Sequence, residues 1–342
     1  MRLGFWRLLV LVALGMLSVA LLLALGGGKA AVAALLRADW RWIALALVVH
    51  YSGFAVRGWR WQQLLAVTGH RLPWGYTTVL LVSGWFVSAL APARAGDAVR
   101  IGVLWSPPAG QPRVPVADGL SSLILERALD LLAILLLGAG FAYFAVQRQF
   151  PVWVSAAYGV GTAALLLFAG TLLVVPALLE RWRNWFAHRL SRKVLDFVTH
   201  LLASLRTLAG RPQQAFGLFA ASLYIWLCDA LLMWLVVRSL GYGLSFDLAA
   251  FVALTVDVFA AVPLTPGGIG QIEAMNAALL AFLRLPEAGV AAAVLVNRGI
   301  SYWSFLVFSG LVTFGAGIGV VSILGKAEKS LHGEDELGKS LL

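Results

Sequence analysis

The stretch Ala261-Val-Pro-Leu-Thr-Pro-Gly-Gly-Ile-Gly-Gln-Ile-Glu273 decides how this chain is read. Two prolines, three glycines and an acid stand between two long apolar runs. Pro263 and Pro266 cannot extend a helix, while Gly267, Gly268 and Gly270 permit a tight turn with exposed backbone N–H groups. From Ile269 the residues suit a helix again, through Met275-Asn-Ala-Ala-Leu-Leu-Ala-Phe-Leu283. The predicted product is a Gly-rich turn feeding a helix N-terminus, a natural receiver for phosphate or carboxylate. Inside lipid, such irregular backbone is tolerated only where protein buries it or it lines a wet cavity. A plain loop between two helices is the alternative.

The surroundings are those of a membrane protein. Of 342 residues, 61% are hydrophobic and 12% charged, and the mean hydropathy is +0.88. The apolar residues lie in long runs, which places the chain among all-α polytopic membrane proteins. Spans and short loops use most of the length, leaving no room for a separate soluble catalytic domain. The net charge of +10 fits basic residues crowding the cytoplasmic flank. No basic, aromatic-interleaved groove for nucleic acid is visible. The single cysteine, Cys228, excludes a disulfide framework.

In chain order, spans are expected at Leu8–Leu25 and at about Trp40–Val56, the second closed by Arg57-Gly-Trp-Arg-Trp61 as a basic aromatic interface belt. A broken stretch follows: Gly75–Leu90, the break Ala91-Pro-Ala-Arg-Ala-Gly-Asp97, a short helix to Trp105 and a Pro-rich loop, Ser106–Pro115. A long helix, Asp118–Val146, carries Glu126-Arg-Ala-Leu-Asp130, and Pro151–Leu179 spans again. Arg181–Arg211 reads as a basic amphipathic helix lying on the membrane surface, most simply an interfacial connector. Then come Gln213–Leu240, the second broken stretch from Phe246 to Leu283, and a final span at about Ala288–Leu324. Residues 1–324 thus form one membrane domain, and 325–342 a charged, disordered tail.

The two breaks match. Pro92 precedes Arg127 by 35 residues, and Pro263 precedes Arg298 by the same distance. Gly96 and Gly267 each lie four residues past their proline. Internal repeats with paired broken segments mark binding sites in transporters. If each break is a hairpin that enters and leaves on one side, each half has three crossings and the second half is inverted. With the N-terminus inside, most of the 26 Lys+Arg fall on the cytoplasmic side, as orientation requires. The expectation is two inverted repeats, about 1–150 and 151–324, each of three spanning helices plus one re-entrant hairpin, about eight hydrophobic segments in all. Both termini are then cytoplasmic, in a bacterial inner membrane.

Asp97, Arg100, Glu126, Arg127, Asp130, Asp229, Asp257, Glu273 and Arg298 fall inside or beside apolar segments. A charge at mid-bilayer costs roughly 2.5–3.5 kcal/mol on insertion scales, so these groups must pair or line a cavity. Arg127 and Asp130 sit three apart, on one helix face. Structural ion pairs are one reading; a polar cavity whose arginines take an anionic headgroup and whose acids take a cationic one is the other. No Asp-x-Asp, Gly-x-Ser-x-Gly, Walker loop or paired histidines appear. His50, His70, His188, His200 and His332 are scattered, and interface or solvent roles suffice for them. No catalytic residue, metal site or cofactor is expected.

Pro92-Ala-Arg-Ala-Gly-Asp97, Leu125-Glu-Arg-Ala-Leu-Asp130 and Pro266-Gly-Gly-Ile-Gly-Gln-Ile-Glu273, with Arg298 in the last span, resemble the lysylphosphatidylglycerol synthase transmembrane (flippase-like) family. The resemblance runs from about Leu8 to Leu324. It implies a membrane domain that translocates lipids with charged or glycosylated headgroups. In the lysyl-lipid members this domain is joined to a soluble aminoacyl-transferase, which these residues do not include, so synthase activity is not carried over. The substrate-binding positions it implies are Arg94, Asp97, Glu126, Arg127, Asp130, Gly267, Gly268, Gly270, Glu273 and Arg298. The expected partners are a phospholipid or lipid-linked glycan and the bilayer, with a separate lipid-modifying enzyme or a second copy left open. A membrane subunit or enzyme of headgroup transfer is the alternative function.

Overall fold

The computed structural model describes residues 28–91, 95–108, 110–146, 192–260 and 265–316, together with the isolated positions 20, 24, 159, 160, 163 and 167. Apart from those isolated positions, the expected first span and the span at Pro151–Leu179 lie outside them, as do the start of the basic helix, both turn prolines at 92 and 263, Arg94, and the tail.

Every element among the described residues is helical. The first half contains α1 (Lys29–Leu36), α2 (Trp40–Val67), α3 (Trp74–Leu90), α4 (Ala95–Trp105) and α5 (Val116–Val146). The second contains α6 (Arg192–Ala209), α7 (Pro212–Ser239), α8 (Phe246–Ala260), α9 (Gln271–Phe282), α10 (Glu287–Arg298) and α11 (Phe305–Gly315). A 3₁₀ turn, Pro266–Gly268, precedes α9, and a π-helical turn, Gly299–Ser304, joins α10 to α11. Local chemistry sets the boundaries. Asp39 caps α2 by accepting the Arg41 N–H at 2.9 Å. Pro212 opens α7, where a missing N–H costs nothing. Ala91, immediately before Pro92, is extended and ends α3.

Helices α2 and α7 are each 28 residues long and pack along one another at the centre. At 1.5 Å per residue, either exceeds the ~30 Å hydrocarbon thickness. Around this pair, contacts recur in both halves. Helix α3 packs on α2 as α8 packs on α7, and α4 reaches α5 as α9 reaches α10. Each hairpin's first arm also crosses to the other half: α3 touches α11, and α8 touches α5. Apolar residues such as Leu36, Val48, Phe216, Leu311 and Phe314 remain exposed on the outside, where lipid rather than water is their natural neighbour. On length and apolarity alone, Pro212–Ser239 and Glu287–Gly315 qualify as membrane-crossing helices.

Three expectations are corrected. Helix α2 does not stop at Val56; it runs on to Val67, and Arg57, Arg60 and Trp61 are buried rather than interfacial. The described part of the basic helix, α6, turns Phe197, Leu201, Leu205 and Leu208 onto Leu64, Leu125 and Leu218, so much of its apolar face meets protein instead of lipid. The final span is not one regular helix, because the π turn interrupts it one residue after Arg298.

Candidate functional site

The first break is held by charge. Asp97 lies in the first turn of α4, and Glu126, Arg127 and Asp130 share α5. Arg60 enters from α2. These groups and Arg100 close a ring of alternating sign. Arg100 meets Asp97 at 3.3 Å and Glu126 at 2.7 Å. Arg60 meets Glu126 at 3.8 Å and Asp130 at 2.6 Å. Arg127 meets Asp130 at 3.8 Å and Asp97 at 3.1 Å. Three arginines balance three carboxylates, so no charge of the ring is left uncompensated in an apolar interior. Ser222 accepts from Arg60 at 2.7 Å, Trp226 donates to Asp130 at 3.1 Å, and the Trp61 ring lies 3.9 Å from the Arg100 guanidinium carbon.

The ring has a closed side and an open side. Arg60, Arg100 and Glu126 are fully buried, whereas the Arg127 side chain keeps 35% of its exposure and that of Asp97 23%. Gly96 makes the hairpin possible: a Cβ there would run into the Gly84 carbonyl of α3.

The second break is held by backbone. Gly267, Gly268 and Gly270 take φ values of 60°, 64° and 84°, the left-handed region that residues with a Cβ avoid. The expected anion receiver is partly filled from within. The Gly270 N–H donates to Glu273 at 2.8 Å, and the Gly268 N–H donates to the Thr265 carbonyl at 3.0 Å. Arg298 donates to Glu273 at 2.8 Å and to the Gly267 carbonyl at 3.0 Å. Glu273 thus occupies the positive end of α9, with Arg298 clamping it to the turn.

The two breaks meet. Tyr302, in the π turn, donates to the Ala89 carbonyl at the end of α3 at 3.2 Å, and Ala89, Ile269 and Tyr302 pack together. Beside this contact lies a cavity of about 290 Å³. Asp97, Arg127 and Asp130 line it from the first half, and Gly267, Gly268 and Tyr302 from the second. Arg57 also faces it, paired with Asp229 at 3.1 Å and set among Phe54, Trp85 and Trp226. A second cavity, of about 260 Å³, shares Arg57, Trp85, Trp226 and Ser301 with the first and continues toward Asp257, His50, Asn276 and Arg298.

Five of the sequence-derived positions therefore line one space: Asp97, Arg127, Asp130, Gly267 and Gly268. Glu126 stands behind it in the ring, Arg298 faces the second cavity, and Gly270 and Glu273 brace the turn. Arg94 lies outside the described residues. Arg57, Arg60, Trp226 and Tyr302 were missed as site residues. The available signal was the Arg57–Arg60 spacing, three apart on one helix face. His50 is a further correction, being buried against the second cavity rather than at an interface or in solvent. Among the described residues, no group of three His, Cys, Asp or Glu is placed to hold a metal ion.

Comparison with known proteins identifies the family. The model of the lysylphosphatidylglycerol synthase TM region matches residues 7–309. A UPF0104 membrane protein of Methanothermobacter thermautotrophicus is 27% identical over 312 residues, 84% of this chain and 88% of that protein. A UPF0104 membrane protein of Methanocaldococcus jannaschii is 25% identical over 67% of this chain and 93% of its own length. The glycosyltransferase AglD of Haloferax volcanii is 29% identical over 75% of this chain, which spans only 46% of that relative. No solved structure matches. The chain belongs to the lysylphosphatidylglycerol synthase transmembrane-region family and is a membrane protein.

Proposed function

We propose that this protein is a flippase-like transporter, moving a phospholipid or glycolipid with a polar or charged headgroup across the membrane. One observation carries the reading: the cavity of about 290 Å³ draws its walls from both broken segments and combines charge with aromatic surface. A headgroup needs such a space, while its acyl chains stay in the bilayer. Arg127, the most open arginine of the ring, takes the phosphate or a sugar hydroxyl. Asp97 and Asp130 beside it take cationic or hydroxylated parts. Aromatic side chains from Trp85, Trp226 and Tyr302 suit sugar or acyl-glycerol faces.

The paired contacts of the two halves support the inverted-repeat reading, with six spans and two opposed re-entrant hairpins. Rocking of one half against the other would then expose the cavity to each side in turn. The membrane is the cytoplasmic one, of a bacterium on the sequence expectation, with both termini inside. The burial of Arg57, Arg60 and Arg100 removes them from the charge count, yet the basic stretch at Arg181–Arg211 still weighs toward that orientation. Cysteines introduced into Ser106–Pro115 or Arg181–Arg211, in a Cys228→Ala background, are expected to resist an impermeant thiol reagent in intact cells. Labelling of either from outside would overturn the topology.

A second reading is favoured by one relative's name. The match to a glycosyltransferase suggests a membrane subunit, or an enzyme, of lipid glycosylation or headgroup transfer. Reconstitution separates the two. The full chain in liposomes, supplied with headgroup-labelled phospholipid and glycolipid, is expected to change headgroup exposure while every lipid keeps its mass. A change in lipid mass would favour the enzyme.

A further inference from the structure

The second cavity contains polar groups that the lipid reading does not use. Asp257, on α8, leaves Oδ2 buried without a hydrogen-bond partner, and it makes no ion pair among the described residues. Both ring nitrogens of His50 are equally unpartnered, as is Asn276 Oδ1. His50 is 5% exposed and Asn276 2%, and all three side chains line the same space of about 260 Å³.

The charges around that space do not cancel. Arg57 is matched by Asp229 at 3.1 Å, and Arg298 by Glu273 at 2.8 Å. The α5 charges Arg127 and Asp130 line the first cavity instead and are closed within the ring. Asp257 is the remaining carboxylate, and an uncompensated buried charge is among the least tolerated features of a protein interior. The unpartnered atoms Asp257 Oδ2 and Asn276 Oδ1 are acceptors, and a neutral His50 imidazole adds one acceptor and one donor, so acceptors outnumber donors three to one. Such a set calls for a donor or a positive charge. At ~30 Å³ per water, the space holds a small ion with several waters.

We propose that this cavity is a binding site for one monovalent cation, a proton or an alkali ion, centred on Asp257 with Asn276 and His50 as neutral partners. The site stands apart from whichever lipid the first cavity takes, and the two share Arg57 and Ser301 as a common wall. Occupancy of one is therefore placed to alter the other, as an ion-coupled transporter requires.

The test uses the purified full chain in detergent, with no lipid transport measured, so its result is independent of the lipid reading. Two quantities are read: equilibrium binding of radioactive Na⁺, and proton uptake on a step to lower pH in Na⁺-free buffer. Wild type is expected either to bind about one Na⁺ per chain or to take up about one proton per chain more than Asp257→Asn, because the other acids and the five histidines titrate in both; which of the two is seen identifies the ion. Asp257→Asn, nearly isosteric, should reduce Na⁺ binding at least tenfold or remove that one extra proton. Asn276→Leu should weaken binding of that ion several-fold, and that variant keeps the proposal testable if Asp257→Asn does not stay monodisperse. Asp247→Asn, at the start of the same helix, should match wild type. Neither quantity in wild type, or the same value in wild type, Asp257→Asn and Asn276→Leu, would overturn the proposal.

Discussion

At the first break, Asp97 belongs to a ring of six alternating charges; at the second, Glu273 and Arg298 form one ion pair beside three left-handed glycines. Both place an acid in the first turn of a hairpin's second arm and bind it to an arginine on the helix that follows. The first is fixed by many mutual partners, so that no member can move without stranding another. The second has fewer bonds, a π turn and, beside it, the unpartnered Oδ1 of Asn276. Departures from regular helix concentrate where function requires adjustable packing. The difference suggests a fixed frame on one side of the cavity and an adjustable wall on the other.

The most severe test of that contrast is to remove one acid from each half. Glu126→Ala leaves both Arg60 and Arg100 short of a partner in a fully buried position, and a broken buried pair costs about 3–5 kcal/mol. Glu273→Ala should cost clearly less, because Arg298 keeps the Gly267 carbonyl and the Tyr302 ring at 4.5 Å. Thermal unfolding in detergent measures both. Equal losses would break the comparison.

Gly267→Val sharpens it from the other side. The new side chain would collide with Tyr302 and demand a left-handed backbone, a strain on the order of 1–3 kcal/mol. The chain should remain folded, and lipid movement should fall at least tenfold. Leu280→Ala, buried on α9 away from both cavities, serves as the packing control. It should lower the melting temperature and leave lipid movement within about twofold, since its effect is a lost contact.

The breaks themselves were legible because proline and glycine impose local rules that survive any tertiary context. Helices α3, α4, α7, α8 and α9 accordingly lie close to where the sequence put them. The motif acids and arginines were legible too, because a charge in an apolar run demands a partner. What failed was identity of environment. Arg57-Gly-Trp-Arg-Trp61 has the composition of an interface belt, yet α2 carries it into the centre, where Asp229, Asp130 and Glu126 await it from other helices. Within α2 only the three-residue spacing of Arg57 and Arg60 points to shared partners, and it does not say which helices supply them. The amphipathic pattern of α6 likewise fixes an apolar face without saying whether lipid or protein covers it. The π turn carries no proline to announce it, and the Glu273 bond to Gly270 depends on how a side chain folds back on its own helix. His50 and Asp257 lie more than two hundred residues apart in sequence, so their shared cavity exists only in the folded molecule.

Ser301 faces both cavities from the π turn, which makes it the most direct place to ask whether lipid headgroups pass through this space. Ser301→Cys in a Cys228→Ala background provides a single thiol, and coupling it to a bulky maleimide, verified by intact mass, fills the passage. In liposomes, the unlabelled variant should move lipid at close to the wild-type rate and the fully labelled one at least tenfold more slowly, with unchanged thermal stability. Fully labelled protein that moves lipid at the unlabelled rate would contradict a headgroup path between the two breaks.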